Sequence, residues 1–461
     1  MAELTKLEVI PRPQAAASET LYQEHVNPQW VRLLDVLRMN ERYDHCQGVE
    51  LHTVDGRRIL DFLSGYCVHN AGHNHPEIVA ALHDELERRG PAMLQSHVPE
   101  LAGDLAARLC ARAGGRVRKV FFASSGSEGV EAAIKFSRAH TRRAGILYAD
   151  GAFHGLTCGA LSLMGDPFWR EGFGPLLPGA ESVPFNDVQA LERKLASKKF
   201  ASFIVEPIQG EAGIRIPASG YLRAAQEICR RYGTLLVADE VQTGMYRTGR
   251  FLASHHFEIE PDMVVLAKAL SGGLIPSGAL LLSDEVYESV YGSLHRAIVH
   301  TSTYSENGLA MRAGLAALDV LERERLGEQA EAVGGYLRAR LREALSPYEM
   351  VREVRGVGLL NGIEFQAPRK LALRLSFEAF RKIHPGMFGQ VVVMRLFRDG
   401  GILTQMCGNN FLVLKAAPPL IATEYHADQF VRALADVVET MHSSGGFWQE
   451  ALGMARRVMN I

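Results

Sequence analysis

From residue 76 to about residue 325 the chain switches repeatedly between two hydrophobic rhythms. Six short runs are apolar almost throughout: KVFFAS (119–124), GILYAD (145–150), SFIVEP (202–207), TLLVAD (234–239), MVVLA (263–267) and GALLLS (278–283). Runs of this length, bounded by turn residues and rich in aliphatic side chains, read as strands buried on both faces. Between them, apolar residues recur at three- and four-residue spacing in 76–90, 128–140, 187–196, 220–233 and 307–324. That is the period of helices with one buried face. Alternating strands and helices predict an α/β fold with a mostly parallel sheet between helical layers.

The flanks follow another rhythm. Residues 1–75 are polar and mixed, with one helical stretch at 28–43 and an alternating run at 49–63 broken by Asp55-Gly56, a strong hairpin turn pair. After 326 a helix (328–345), strands in 351–365, 401–406 and 410–416, and a helix at 424–442 predict a smaller α+β unit. The expected organisation is an N-terminal segment (1–75) shared with the small unit and a subunit interface, a large unit (76–325) and a small C-terminal unit (326–461). No repeat or low-complexity linker separates them.

Composition changes this picture little, but it excludes some functions. A formal net charge of −2 over 461 residues gives no electrostatic footprint for nucleic acid. Cys46, Cys67, Cys110, Cys158, Cys229 and Cys407 are scattered without CxxC pairing, which suits reduced thiols better than disulfides or zinc. MAELTKLEVIPRPQ lacks an apolar leader core, and no run of 18 apolar residues occurs, so a soluble cytoplasmic protein is expected.

Chemistry enters at two strand ends. Asp239 closes TLLVAD, and Lys268 directly follows MVVLA. A lysine just beyond a buried strand is costly unless its amine is neutralised or consumed, and an aldehyde consumes it as a Schiff base. A carboxylate facing a pyridine nitrogen keeps that ring an electron acceptor. Pyridoxal phosphate (PLP) needs this pair. Either residue alone could be a snorkelling lysine or a capping aspartate, so the neighbouring motifs carry the argument.

In SSGSE, Ser125, Gly126 and Ser127 stand where a helix presents its free N–H groups, a phosphate cradle that would otherwise be a plain N-cap. Phe153 and His154 follow a strand, where a flat ring can lie against a flat cofactor. Glu206 and Glu211 sit in a turn after SFIV; they can hold a basic group or face the cofactor's phenol side. Gln242, three residues after Asp239, can face the same ring if that turn opens a helix. Ser302-Thr303 precede the helix opened by Asn307 and again suit phosphate. His69, His73 and His75 look superficially like metal ligands, but the segment lacks a completing acidic set and reads as a tight loop, with no metal expected.

The order SSGSE, FHG, EPIQGE, VADEVQTG, LAKALSGG and HTSTYSENG resembles class III (ω-type) aminotransferases, fold-type I PLP enzymes, over roughly residues 30–440. KALSGGLIPSGA looks nearest to ornithine and putrescine aminotransferases. The resemblance implies a large domain with a mostly parallel seven-stranded sheet plus a smaller α+β domain. It implies Lys268 as the cofactor lysine and general acid/base, Asp239 at the pyridine nitrogen, and Gln242 at the ring hydroxyl. Ser125, Gly126 and Ser127 would hold phosphate, Phe153 would stack on the ring, and His154 and Glu206 would lie beside it. Thr303 would reach the neighbouring subunit's phosphate, making a homodimer with shared sites. Tyr66 matches a substrate-pocket tyrosine, and Glu211 the acid that partners a mobile arginine.

Two departures bear on substrate. The family arginine that grips an α-carboxylate aligns with Lys415 in VLKAAPPL, and lysine lacks the bidentate fork. The loop usually written GSTYGGNPL reads TSTYSENGL, with Ser305, Glu306 and Gly308 at the changed positions. Residues 370–397 are long and apolar, with Leu373, Phe377, Phe380, Ile383, Met387 and Phe388 at mixed spacings that one helical face cannot bury. With the amphipathic stretch 447–461 they suggest either padding of the small unit or a lid over a large apolar aldehyde. The lid reading resembles the lipid-directed hopanoid-biosynthesis aminotransferases and would allow peripheral membrane contact. The expected activity is transfer of an amino group from an amino acid such as glutamate to an aldehyde or oxo acid. A diamine aminotransferase of the ornithine or putrescine type, and a PLP epimerase or aminomutase, share the same motifs.

Overall fold

The computed structural model describes residues 15–459 except 95 and 444, so the N-terminal MAELTKLEVIPRPQ and Asn460-Ile461 of the C-terminal stretch lie outside the described residues. The large sheet has seven strands, ordered in space as Val117–Ala123, Gly278–Ser283, Met263–Leu266, Leu235–Asp239, Phe200–Val205, Gly145–Ala149 and Ala180–Val183. Neighbouring strands are parallel except Gly278–Ser283, which runs antiparallel to both of its neighbours. Every residue of the five strands in the middle of the sheet is buried, the physical reason their sequences read as continuous apolar runs. The edge strand Ala180–Val183 is largely half-exposed and carries Glu181 and Ser182, so no apolar run announces it.

Helix Gly126–Thr141 covers one face of this sheet through Val130, Ala133, Ile134 and Phe136. Helices Glu100–Ala113 and Gly308–Arg323 cover the other, Leu105, Met311 and Leu318 meeting Leu281 and Leu266 in one core. Val265 pairs with Asp239 in parallel register, so the strands carrying Asp239 and Lys268 end side by side.

The flanking thirds of the chain share structure. Strands Glu50–Thr53 and Arg58–Asp61 form the expected hairpin, extended by Tyr43–Gln47, and Ile402–Leu403 joins it in parallel beside Leu60 and Asp61. A second antiparallel sheet contains Val351–Val357, Leu360–Phe365, Asn410–Ala416 and Gln405–Cys407. Helices Leu326–Leu345 and Glu424–Ser443 contribute Leu337, Leu341, Phe430 and Leu434 to the core beside it.

The apolar stretch 370–397 packs largely as the padding reading expects. It forms two helices, Leu371–Ile383 and Met387–Arg398, separated at His384–Gly386. Each has its own buried face, which explains the mixed spacing. Phe377, Phe380, Met387 and Phe388 are buried in the core of the small unit, with Leu373 packed against it; the side chain of Ile383 lies outside the described residues. Phe380 stacks on Trp448 of helix Gly445–Met459 with ring centroids 5.7 Å apart. Each such side chain adds roughly 1.5–3 kcal/mol by burial, so the stretch is load taken up by the core and not a flap left free over a pocket. Among the described residues no helix is long and apolar enough to cross a membrane.

Candidate active site

Three groups converge at the carboxyl ends of the parallel strands, where open α/β sheets bind ligands. The first is an acid–imidazole pair beneath the site. Asp239 Oδ2 lies 2.6 Å from His154 Nδ1, while Asp239 Oδ1 accepts the Val241 N–H at 3.1 Å. Both side chains are buried, and among the described residues His154 Nε2 has no partner. Burial pushes the imidazole toward its neutral form, but the hydrogen bond and charge of Asp239, aided by Glu206, outweigh it and raise the His154 pKa.

Glu206 completes this base. Its two oxygens accept the N–H groups of Phe153 and Gly210, each at 3.0 Å. It therefore ties the strand-end loop of Phe153 to the turn leading to Glu211. Burial raises the Glu206 carboxyl to about 7, with Asp239 adding to the rise and His154 opposing it.

The second group is the cradle. Ser125 caps helix Gly126–Thr141, its hydroxyl accepting the Glu128 N–H at 3.2 Å, and Glu128 accepts the Ser124 N–H at 2.7 Å. Gly155, at φ +116°, passes so near Ser127 that a Cβ there would stand 2.2 Å from the hydroxyl. Gly210 likewise abuts Gln242, leaving 1.4 Å to an added Cβ. Gln242 lies in a run of turns, not in a helix, and its amide donates to Glu211 Oε1 at 3.2 Å.

The third group is a buried lysine–carboxylate pair beside Tyr66. Lys415 is fully buried on strand Asn410–Ala416, and its ammonium pairs with Glu211 Oε1. Glu211 Oε2 accepts the Gly408 N–H at 2.8 Å. The same ammonium stands 5.2 Å from the centroid of the Tyr66 ring. Burial opposes both charges, but Lys415 holds the Glu211 carboxyl down to about 2 and Glu211 holds the amine above its ordinary value. Lys415 is therefore a neutralised cation in this arrangement, not one left open to a carboxylate.

Lys268 is half-buried, opens a short turn after strand Met263–Leu266, and has a left-handed backbone, φ +50°. Burial lowers the pKa of its amine and Lys415 lowers it further, against Cys67, Glu211 and Asp239. Strain recurs at Ser64–Cys67, a turn with φ between +47° and +70° at all four residues. Ser64, Tyr66 and Cys67 each bear a cost of about 1–2 kcal/mol there, offset in part by Asp61 Oδ1, which accepts the Leu63 and Ser64 N–H groups at 2.8 and 2.7 Å.

Thr303 is exposed in a turn before helix Gly308–Arg323, and no hydrogen bond joins it to the cluster among the described residues. In the histidine loop His73 bonds Asp61 at 2.7 Å, His75 lies 3.2 Å from Glu324, and the His69 ring lies tilted against His73 with centroids 3.9 Å apart. Among the described residues, no group of three or more His, Cys, Asp or Glu side chains could hold a metal. Sequence reading missed Trp169 and Asn409. Trp169 meets Phe153 edge to face at 5.4 Å and donates to Asn409 Oδ1 at 2.8 Å, while Asn409 Nδ2 donates to the Gly151 carbonyl at 2.9 Å. The aromatic run FW in DPFWREGFGP is the one local signal for this wall.

These features fit PLP. Among the described residues a buried imidazole nitrogen is left without a partner, glycines bring Ser127 and Gln242 close to neighbouring backbone, and burial lowers the pKa of the strand-end lysine. Residues 36–438 match the family described as aminotransferase class-III. The aminotransferase PigE of Serratia sp. (strain ATCC 39006) is 36% identical over 473 residues, covering 95% of this chain and 56% of that protein. The chain thus spans about half the length of this curated relative. The crystal structure of ornithine aminotransferase from Toxoplasma gondii ME49 superposes with a TM-score of 0.81 at 29% identity, covering 93% of this chain and 95% of that one. The PLP-bound amine transaminase from an uncultivated Pseudomonas species gives 0.74 at 29% identity, covering 86% and 94%. With its strand-end lysine, buried acid and cradle in the family order, the chain belongs to the class III aminotransferases, the PLP-dependent enzymes of fold type I.

Proposed function

We propose that this chain transfers an amino group between an amino acid donor, glutamate foremost, and an aldehyde or oxo acid, and that it works as a homodimer. The observation carrying this reading is the side-by-side ending of two parallel strands, one delivering Asp239 and the other leading into Lys268. When bound, PLP supplies an amine-accepting aldehyde and a ring that takes up electrons from the substrate carbon.

The chain's own groups have separable tasks. Ser125–Ser127 and the helix N-terminus would hold the phosphate. Phe153 would stack on one ring face, Gln242 would meet the ring hydroxyl, and Asp239, oriented by His154, would meet the ring nitrogen. Lys268, whose burial favours the neutral amine, takes a proton from the substrate carbon and returns it elsewhere. Thr303 would serve a partner's phosphate; exposed Leu294, Ile298, Val299 and Tyr304 around it support burial against a second copy. Six free thiols agree with a cytoplasmic setting.

The Glu211–Lys415 pair narrows the substrate. A carboxylate-bearing donor must displace Glu211 to reach Lys415, whereas an amine or aldehyde without a carboxylate near its reacting carbon meets the pocket as it stands. The aromatic wall of Phe153 and Trp169 suits an apolar body on that acceptor.

A panel of amine donors and aldehyde acceptors on the purified protein tests the reading. A single amine should convert the bound cofactor stoichiometrically to its aminated form; return to the starting spectrum with an isomerised substrate would instead mark an epimerase or aminomutase. Lys268→Ala should remain folded and lose turnover by more than about a thousandfold. Borohydride reduction followed by peptide mass analysis should attach cofactor to Lys268 in the parent and nowhere in the variant.

A further inference from the structure

Arg247 is fully buried, yet among the described residues no carboxylate lies within ion-pair distance of it. Its guanidinium instead spans four oxygens from three separate parts of the chain. One nitrogen donates to the carbonyls of Leu359, at 3.1 Å, and Pro418; the other donates to Ser64 Oγ, at 3.1 Å, and Asn70 Oδ1, at 2.5 Å. Ser64 Oγ passes the link on by donating to the Ala417 carbonyl at 2.7 Å, and Asn70 Nδ2 donates to the Met245 carbonyl at 2.8 Å. A buried cation without a counter-ion is a poor way to gain stability. What arginine adds is a rigid fork that a lysine or an apolar side chain cannot reproduce.

The joined segments identify what the fork holds. Ser64 opens the left-handed turn whose third residue is Tyr66, and Pro418 lies three residues beyond Lys415. We propose that Arg247 is a positioning residue: by clamping Ser64 and Asn70 to Pro418 and Leu359, it fixes the strained turn so that the Tyr66 ring stays over the Lys415–Glu211 pair. Arg247 acts on substrate binding through Tyr66 and makes no contact with the lysine–acid chemistry at Lys268. The kinetic part of this inference rests on the aminotransferase reading; the geometric part does not.

The test uses the PLP-loaded enzyme and Arg247→Lys, with Ser64→Ala as a milder second break should the first fail to fold. Cys67, buried in the same turn, reports its opening independently of activity. Maleimide labelling followed by peptide mass analysis should run at least about tenfold faster at Cys67 in either variant, while Cys229, buried in another core, keeps its parent rate. KM for the amine should rise about tenfold with kcat within about threefold, and the cofactor spectrum should not change. In a Tyr66→Ala background the substitution at Arg247 should add nothing further to KM. Unchanged labelling at Cys67, or an effect on KM that simply adds to that of Tyr66→Ala, overturns the proposal. If no amine is turned over by the parent enzyme, the aminotransferase reading fails, and the labelling result alone decides the clamp.

Discussion

The acid–imidazole base under the cofactor site and the charge pair on its substrate side are built from similar chemistry in opposite ways. Asp239, His154 and Glu206 all stand at the ends of neighbouring strands of one sheet, and their hydrogen bonds go to one another or to nearby backbone. Tyr66, Glu211 and Lys415 come from three segments far apart in sequence, Glu211 and Lys415 alone by 204 residues, and meet only through the tertiary fold. The first region is a rigid consequence of sheet register. The second is an assembly that a single displaced segment can undo, and it is the region suited to changing partners as substrates exchange. On the proposed function, cofactor chemistry and substrate choice thus fall to parts of the molecule with different mechanical character.

The sharpest way to break this contrast is Asp239→Asn. The side chain keeps its shape but loses the charge paired with His154 and offered to the cofactor ring. Turnover should fall by about a hundredfold or more with cofactor still bound, measured by single-turnover absorbance. A loss under about tenfold would show that another acid serves the ring.

Glu211→Gln acts on the other region. Leaving Lys415 buried without its counter-charge should cost about 3–5 kcal/mol, seen as a lower thermal midpoint. Kinetically the freed ammonium should favour carboxylate-bearing substrates, lowering their KM relative to simple aldehydes. Equal changes for both classes would mean that Lys415 does not face the substrate.

A smaller effect is expected from pH. The folded-state pKa of Glu206 is raised from 4.5 to about 7, so its protonated form adds stability that is fully present below 4.5 and lost as pH rises through about 7. The loss is on the order of 3 kcal/mol at most. Stability of the cofactor-free protein should therefore decline between pH 5 and 8, and Glu206→Gln should flatten that slope in denaturant titrations. A slope unchanged by the substitution would assign the dependence to His154.

How much of this was readable beforehand follows the same divide. The large sheet was legible because strands buried on both faces must be apolar throughout, and Lys268 and Asp239 were legible because polar residues interrupt such runs at their ends. Ala180–Val183 was not, since an edge strand needs no apolar run. Phe377, Phe380 and Phe388 announced an unusual apolar segment, but not whether it covered a pocket or a core; packing against Trp448 decided that. Lys415 was visible as a lysine standing where the family has arginine, yet its neutralisation by Glu211 depends on a strand and a turn 204 residues apart in sequence. Arg247 gave no local signal at all, because its acceptors, two backbone carbonyls and two side-chain oxygens, are brought together only by the fold. Periodicity and chemical type, set residue by residue, determined the architecture and the cofactor-side groups. Long-range closure of the chain, which no local pattern encodes, determined which charges meet and which cations remain free.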